Sequence, residues 1–304
     1  MTERAAGRRT SSEITGSLLC VLMGVLFAFV VILGKGLLNG HPPFVLLTFR
    51  FGITAVLLLV VLLFTRSPLV PQRGERLGLV VAATLGYGTE SALYFSALNH
   101  GTAAAVTLLF YTYPVWVMLA SIVMDRRVPA GRLIAALVLA VAGAGVVVAA
   151  GTGVDVEPIG IVLAIACSLA YTGYLIGVDR VVHRTNPLTT ATWLAAGAAL
   201  ANIVYGVAFH AVAMPQGSEV GARVFGMGAF TAGAFVAMIA SLQRIGAVRN
   251  AIIGVLEPLT VAVLAALLLD EPLTAATVVG GVLILSAAVI ATLARGQRAV
   301  EPDV

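Results

Sequence analysis

Long apolar runs separated by short polar breaks organise the whole chain. Ten runs, each near the ~20 residues a helix needs to cross a bilayer core, fall at about 14–36, 44–64, 77–98, 102–124, 132–150, 159–179, 188–210, 222–241, 247–269 and 273–294. Turn and breaker residues gather between them, as in His41-Pro42-Pro43, Asn99-His100-Gly101, Gly151-Thr152-Gly153 and Asn186-Pro187. No break is long enough to hold a water-soluble domain. The first run follows basic residues, as a signal peptide does, yet it runs too long and has no small-residue cleavage site before Lys35, so it predicts a retained helix.

Composition agrees with a lipid solvent. Of 304 residues, 60% are hydrophobic and 11% charged, against about 25% charged in soluble domains, and the mean hydropathy is +1.04. Cys20 and Cys167 both lie inside apolar runs, where a thiol acts as a small buried hydrophobe.

Charge then orients the helices. If the N-terminal side is the inner one, the inner breaks collect 15 of the 18 Lys and Arg residues, in clusters beginning at Arg4, Arg66, Arg126, Arg180, Arg244 and Arg295. The acids Asp155, Glu157, Glu219, Asp270 and Glu271 fall in outer breaks. Basic residues are retained on the cytoplasmic side, so the pattern predicts an even number of helices, both termini cytoplasmic, and a multi-pass protein of the plasma (inner) membrane. Net charge +4 and pI ≈ 9.4 are thereby topology and do not point to nucleic acid.

Residues 97–149 and 241–294 repeat one order of features: small residues, an apolar helix with a central proline, an acid, and a Gly-rich apolar helix. Pro114 answers to Pro258. Five helices per repeat is odd, so the second copy inserts upside down. Inverted repeats are a transporter architecture with the site near the midplane.

With the run Gly24 to Lys35, "PPFVLLTFRF" at 42–51 and the two proline-bearing copies on view, the chain resembles the drug/metabolite transporter superfamily, and within it the EamA-type ten-helix transporters. The resemblance spans Ser17 to Leu293; Phe27 and Arg126-Arg127 depart from the usual pattern. It implies an all-α membrane protein of about ten transmembrane helices in two inverted five-helix repeats, with a substrate cavity between the halves and alternating access. The expected divisions are a cytoplasmic tail 1–13, repeats 14–151 and 152–294, and a cytoplasmic tail 295–304.

Intramembrane polar residues are costly and face the protein interior or a watery cavity. Glu257 lies about 15 Å into its helix, near mid-bilayer, beside Pro258, which loosens the bond to the Gly254 carbonyl. It reads as a ligand for a substrate amine or as a proton-binding carboxylate; the structural alternative is a packing pair with Arg50. Asn250, two turns earlier, shares its face. Tyr111, Tyr113 and Trp116 flank Pro114, and Tyr171 and Tyr174 lie in the sixth helix; they suit amphipathic substrates or a cation on a ring face. Arg50, Glu90 and Tyr94 read as an outer gate or ion pair, with Tyr87 on the stripe of Glu90. Pro114 and Pro258 are the hinges. Asn202 with Tyr205 reads as a helix contact, Trp193 and Lys35 as interface anchors, His100 and His210 as solvated loop residues.

No phosphate loop, H-E-x-x-H or Cys/His metal spacing occurs, so no cofactor or metal is expected, and an embedded enzyme is the different-class alternative. The expected function is a secondary transporter, an exporter of amino acids or related amphipathic metabolites, with membrane lipid, a small-molecule substrate and protons as partners, acting as a monomer or homodimer. Proton-independent facilitation and multidrug-type efflux are the alternatives within the class.

Overall fold

Each apolar run folds as helix: α1 (Thr2–Gly34), α2 (Pro43–Phe64), α3 (Arg76–Val81), α4 (Thr89–Ala97), α5 (Ala103–Phe110), α6 (Tyr113–Asp125), α7 (Gly131–Ala149), α8 (Pro158–Val181), α9 (Pro187–Ala208), α10 (Ser218–Gly254), α11 (Leu256–Leu268) and α12 (Ala275–Leu293). The computed structural model describes residues 2–34, 37, 43–101, 103–126, 128–149, 156–209, 217–268 and 274–293. Lys35, His41, Arg127, Gly151 to Gly153, Asp155, His210, Asp270, Glu271, Arg295 and Arg298 lie outside the described residues.

Among the described residues six helices are individually long and apolar enough to cross a membrane. Of the further crossings, the fifth is α7 alone and three are composite. In the third, a π-helical stretch at Ala82–Gly88 joins α3 to α4; π turns advance less per residue than α turns and re-aim the side chains beyond them.

The fourth and ninth crossings break at their prolines. Proline has no N–H to return to the carbonyl four residues back, and here both half-helices stop at that carbonyl. Helix α5 ends at Phe110, four before Pro114, and α10 at Gly254, four before Pro258. Tighter bonds span the gaps, Thr112 N to Leu109 O at 3.3 Å and Val255 N to Ile252 O at 3.4 Å.

Helix α10, with 37 residues, would run about 55 Å if straight, nearly twice a ~30 Å core. Gly246, at φ 76° and ψ 169°, divides it. This backbone region is open to glycine alone. The arms fold back on each other, since the Asn250 amide donates to Ser241 Oγ at 2.9 Å; nine residues along a straight helix would hold them about 13 Å apart.

Around this framework α1 packs on α10 and α11, α2 on α9 and α10, and α4 on α8, while α7 pairs with α12 at the periphery. The last pair depends on close backbone approach: a Cβ added at Gly143 would meet the Gly280 carbonyl oxygen at 2.7 Å. Large apolar side chains such as Leu18, Val56, Val138, Val162, Leu200 and Val282 remain exposed, the expected surface of a bundle bathed in acyl chains.

Candidate functional site

Glu257 lies in the first turn of α11, just after the break at Val255. Its neighbours Val255 and Leu256 are buried, whereas Glu257 keeps accessible surface. The Tyr111 side chain, from the matching break between α5 and α6, hydrogen-bonds to its carboxylate. The two proline breaks therefore meet through a tyrosine and a glutamate.

Arg50 of α2 is 6% exposed and Glu90 of α4 is 7% exposed. Arg50 lies within electrostatic reach of both Glu90 and Glu257, and the two carboxylates are within reach of each other. Their depths along the sequence suggest separation; the π-helical stretch before α4 and the break before α11 remove it. The expected direct contact of Arg50 with Glu90 is not formed. Instead Arg50 Nε donates to Thr231 Oγ1 at 2.8 Å, its guanidinium carbon stands 4.8 Å from the Phe51 ring centre, and a hydrogen bond links it to Tyr87. Ser91 Oγ donates to Glu90 Oε2 at 3.0 Å, and the Cys167 thiol to its backbone carbonyl at 3.4 Å. Two carboxylates and one guanidinium, drawn from α2, α4 and α11, thus share one buried region with a formal excess of one negative charge when both acids are ionised.

A continuous run of aromatic rings walls this region. Tyr171 meets Tyr113 edge-on at 4.8 Å, Phe110 lies 5.2 Å from Tyr113 and 5.5 Å from Tyr94, and Tyr174 meets Tyr87 at 5.2 Å. Phe235 continues it, 4.9 Å from Tyr87 and 6.2 Å from Phe51. The phenols are anchored: Tyr113 donates to the Ala251 carbonyl at 3.2 Å, the Tyr94 hydroxyl is hydrogen-bonded to the Thr107 hydroxyl at 2.9 Å, and Tyr171 and Tyr174 both donate to Met238 Sδ at 3.9 Å.

Two expected site residues stand apart from this wall. Trp116 Nε1 donates to Thr112 Oγ1 one turn back at 3.2 Å, and among the described residues no ring packs against it. Asn250 is 1% exposed and its amide is spent on Ser241, on the far side of the α10 break from Glu257. Of the residues read as peripheral, Tyr205 bonds Thr89 at 2.8 Å, Asn202 donates to Ala198 at 2.9 Å, Trp193 caps the Leu69 carbonyl at 3.0 Å, and His100 pairs with Glu157 at 2.9 Å.

The aromatic members Phe51, Phe110 and Phe235 escaped the sequence reading because an apolar ring in an apolar run carries no contrast. A further missed residue is Glu75, ahead of α3 at the arginine-rich end. Its carboxylate accepts from the backbone N–H groups of His183, Arg184 and Thr185 at 2.9, 2.8 and 3.0 Å and from the Thr185 hydroxyl. Burial alone would raise its pKa, but the hydrogen bonds from Thr185, Arg184 and His183 outweigh that and hold it below the usual carboxylate range.

A family model, EamA-like transporter family, matches residues 14–149 and again 158–293. The second match is displaced by 144 residues (158 against 14), the same displacement that carries Pro114 onto Pro258, and it carries Tyr113 onto Glu257. No curated protein matches the chain. A crystal structure of a protein with 22% sequence identity superposes with a TM-score of 0.78, covering 93% of this chain and 96% of the other; at that identity the likeness is one of fold.

Proposed function

Because the chain belongs to the EamA-like transporter family and so is a membrane transporter of small molecules, we propose that it exports amino acids or related amphipathic amines by alternating access of two inverted halves about the Glu257 region. The arginine-rich end is the cytoplasmic one, both termini lie there, and the halves are 14–151 and 152–294 in a plasma membrane. One observation carries the reading: Glu257 stays accessible at a helix break, bonded to Tyr111 of the opposing break and faced by an aromatic wall.

The chemistry follows from that arrangement. A substrate ammonium would neutralise the excess negative charge of Arg50, Glu90 and Glu257, and Phe110, Tyr113 and Tyr171 would cover its apolar body. The broken helices leave backbone carbonyls without intrahelical partners beside the charge, as at transporter sites built from discontinuous helices. Each break is a few residues long and joins rigid half-helices, so it can serve as a hinge for rocking. With no ammonium bound, a proton can occupy the same carboxylate pair, and exchange of the two would couple efflux to proton entry.

Glu257→Gln is the test. In reconstituted vesicles the variant should insert and fold normally yet lose transport, and wild-type flux would sink the reading. Flux that ignores an imposed pH gradient would remove proton coupling alone. The aromatic wall also suits apolar organic cations, so multidrug-type efflux is the second reading; a wild-type carrier that moves bulky organic cations as well as amino acids would favour it.

A further inference from the structure

Arg50 bridges the two halves of the protein at equivalent positions. Its Nε donates to Thr231 Oγ1 at 2.8 Å, and a second hydrogen bond joins it to Tyr87. The displacement of 144 residues that relates the repeats carries Tyr87 onto Thr231. It also sets Leu194 opposite Arg50, as it sets Tyr113 opposite Glu257. The cation and the anion therefore each occur once, and the region between the halves has a positive and a negative end.

The guanidinium is held in place without a direct counter-ion. The Thr54 hydroxyl bridges the carbonyls of Arg50 and Gly228 at 2.8 and 2.9 Å, and a Cβ added at Gly228 would stand 3.1 Å from the Arg50 carbonyl oxygen. Helix α2 is thus seated closely on α10 at this residue. Among the described residues, the hydrogen bonds of the guanidinium go to the hydroxyls of Thr231 and Tyr87, and no carboxylate pairs with it directly. Arginine carries five N–H donors in a planar fork, so two hydroxyls leave part of the fork unspent. Buried charges are ordinarily paired, yet both acids stand within electrostatic reach of this one without touching it.

The acids differ in what surrounds them. Glu90 is buried, with Ser91 Oγ on one carboxylate oxygen and the Cys167 thiol 3.7 Å from the other. Glu257 receives Tyr111 and keeps accessible surface, so it is the acid placed to take a ligand's cation. Phe51, against the guanidinium, meets Tyr87 edge-on at 5.7 Å, which ties Arg50 into the same aromatic wall.

We propose that Arg50 binds the carboxylate of the substrate while Glu257 binds its ammonium, so that the carrier selects α-amino acids over the amines that lack the carboxylate. The proposal rests on the midplane reading given above and narrows it. An α-amino acid carries both charges on one carbon and has no net charge, so its entry leaves the formal charge of the region unchanged. It gives Arg50 the two-pronged carboxylate contact that its fork matches. Because Thr231 and Tyr87 already fix the fork, that contact costs little further ordering.

The test compares three probes that share one apolar body: L-phenylalanine, phenethylamine and 3-phenylpropanoate. Each is titrated at neutral pH into purified full-length protein, and the rise in melting temperature is followed. In wild type, phenylalanine should half-saturate at a concentration at least about tenfold below either single-charge probe, as expected for one charged contact. Arg50→Gln should remove that advantage by weakening phenylalanine about tenfold while phenethylamine stays within twofold. Arg50→Lys should keep phenylalanine ahead by a smaller margin, because a point charge replaces the fork. Glu257→Gln should weaken phenylalanine and phenethylamine together. The proposal is overturned if wild type takes phenethylamine as tightly as phenylalanine, or if it takes neither. It is equally overturned if Arg50→Gln weakens both alike, as a purely structural tie would, or spares phenylalanine. Should Arg50→Gln fail to fold, the wild-type comparison and Arg50→Lys still decide. If Glu257→Gln leaves both titrations unchanged, the midplane reading fails; if it weakens both while Arg50→Gln keeps their wild-type ratio, the Arg50 assignment alone fails.

Discussion

Replacing Glu75 by glutamine exchanges one carboxylate oxygen for an NH₂ group and disturbs four hydrogen bonds. The wild-type carboxylate, 8% exposed, receives three backbone N–H groups and one hydroxyl from the turn at His183 to Thr185. Glutamine keeps one acceptor oxygen and points an NH₂ at donors, so the Thr185 N–H loses its partner, at a cost of about 1–3 kcal/mol. The contacts that survive lose their charge assistance, worth roughly another 1 kcal/mol. Relief of carboxylate burial offsets part of this, which leaves a loss of about 2–3 kcal/mol. At roughly 2–4 °C per kcal/mol, the melting temperature in detergent should fall by at least about 4 °C. A double-mutant cycle with Thr185→Val should show coupling of about 1 kcal/mol or more.

The pH dependence has a definite sign. Glu75 is held below its ordinary value of 4.5, so its ionised form is the one the fold prefers. Its contribution is complete above the unfolded value and fades as pH falls through the lower folded value. The gap between wild type and Glu75→Gln should therefore be flat from about pH 8 to 5 and narrow below about pH 4. Taking the difference between the two proteins cancels the titration of groups common to both. A gap under 1 °C at neutral pH, or one that persists unchanged to pH 3, would refute the reasoning.

Two further outcomes concern the scaffold. Gly246→Ala forces a side chain into a backbone region worth about 1–3 kcal/mol of strain, so thermal unfolding should shift down and proteolysis near the α10 turn should speed up. Gly143→Val places its Cβ 2.7 Å from the Gly280 oxygen and 2.8 Å from Ile284 Cγ1; separating α7 from α12 should lower stability by about 1–3 kcal/mol while substrate half-saturation measured at low temperature stays within twofold.

Helix number and breaks were readable because each depends on local chemistry. Long apolar runs can be satisfied in lipid only as helices, and a proline removes its own N–H wherever it lies, so the ends at Phe110 and Gly254 were implied by Pro114 and Pro258. Glu257 and Tyr111 stood out as candidates because of their places beside those breaks. Trp116 shows the limit of that reasoning: adjacent to Pro114 in sequence, it turns to Thr112 of its own helix instead of joining the wall.

Partnerships between helices needed the fold. Whether Arg50 meets Glu90 or Thr231, whether Glu90 and Glu257 share a region, and which rings line it depend on crossing angles, on a π-helical stretch with no sequence signature, and on residues up to 181 positions apart. Glu75 looks along the chain like a lone acid at an arginine-rich end. It is consumed by the backbone of a distant turn, because a buried carboxylate takes whatever donors the packing brings to it, and local spacing does not say which those are.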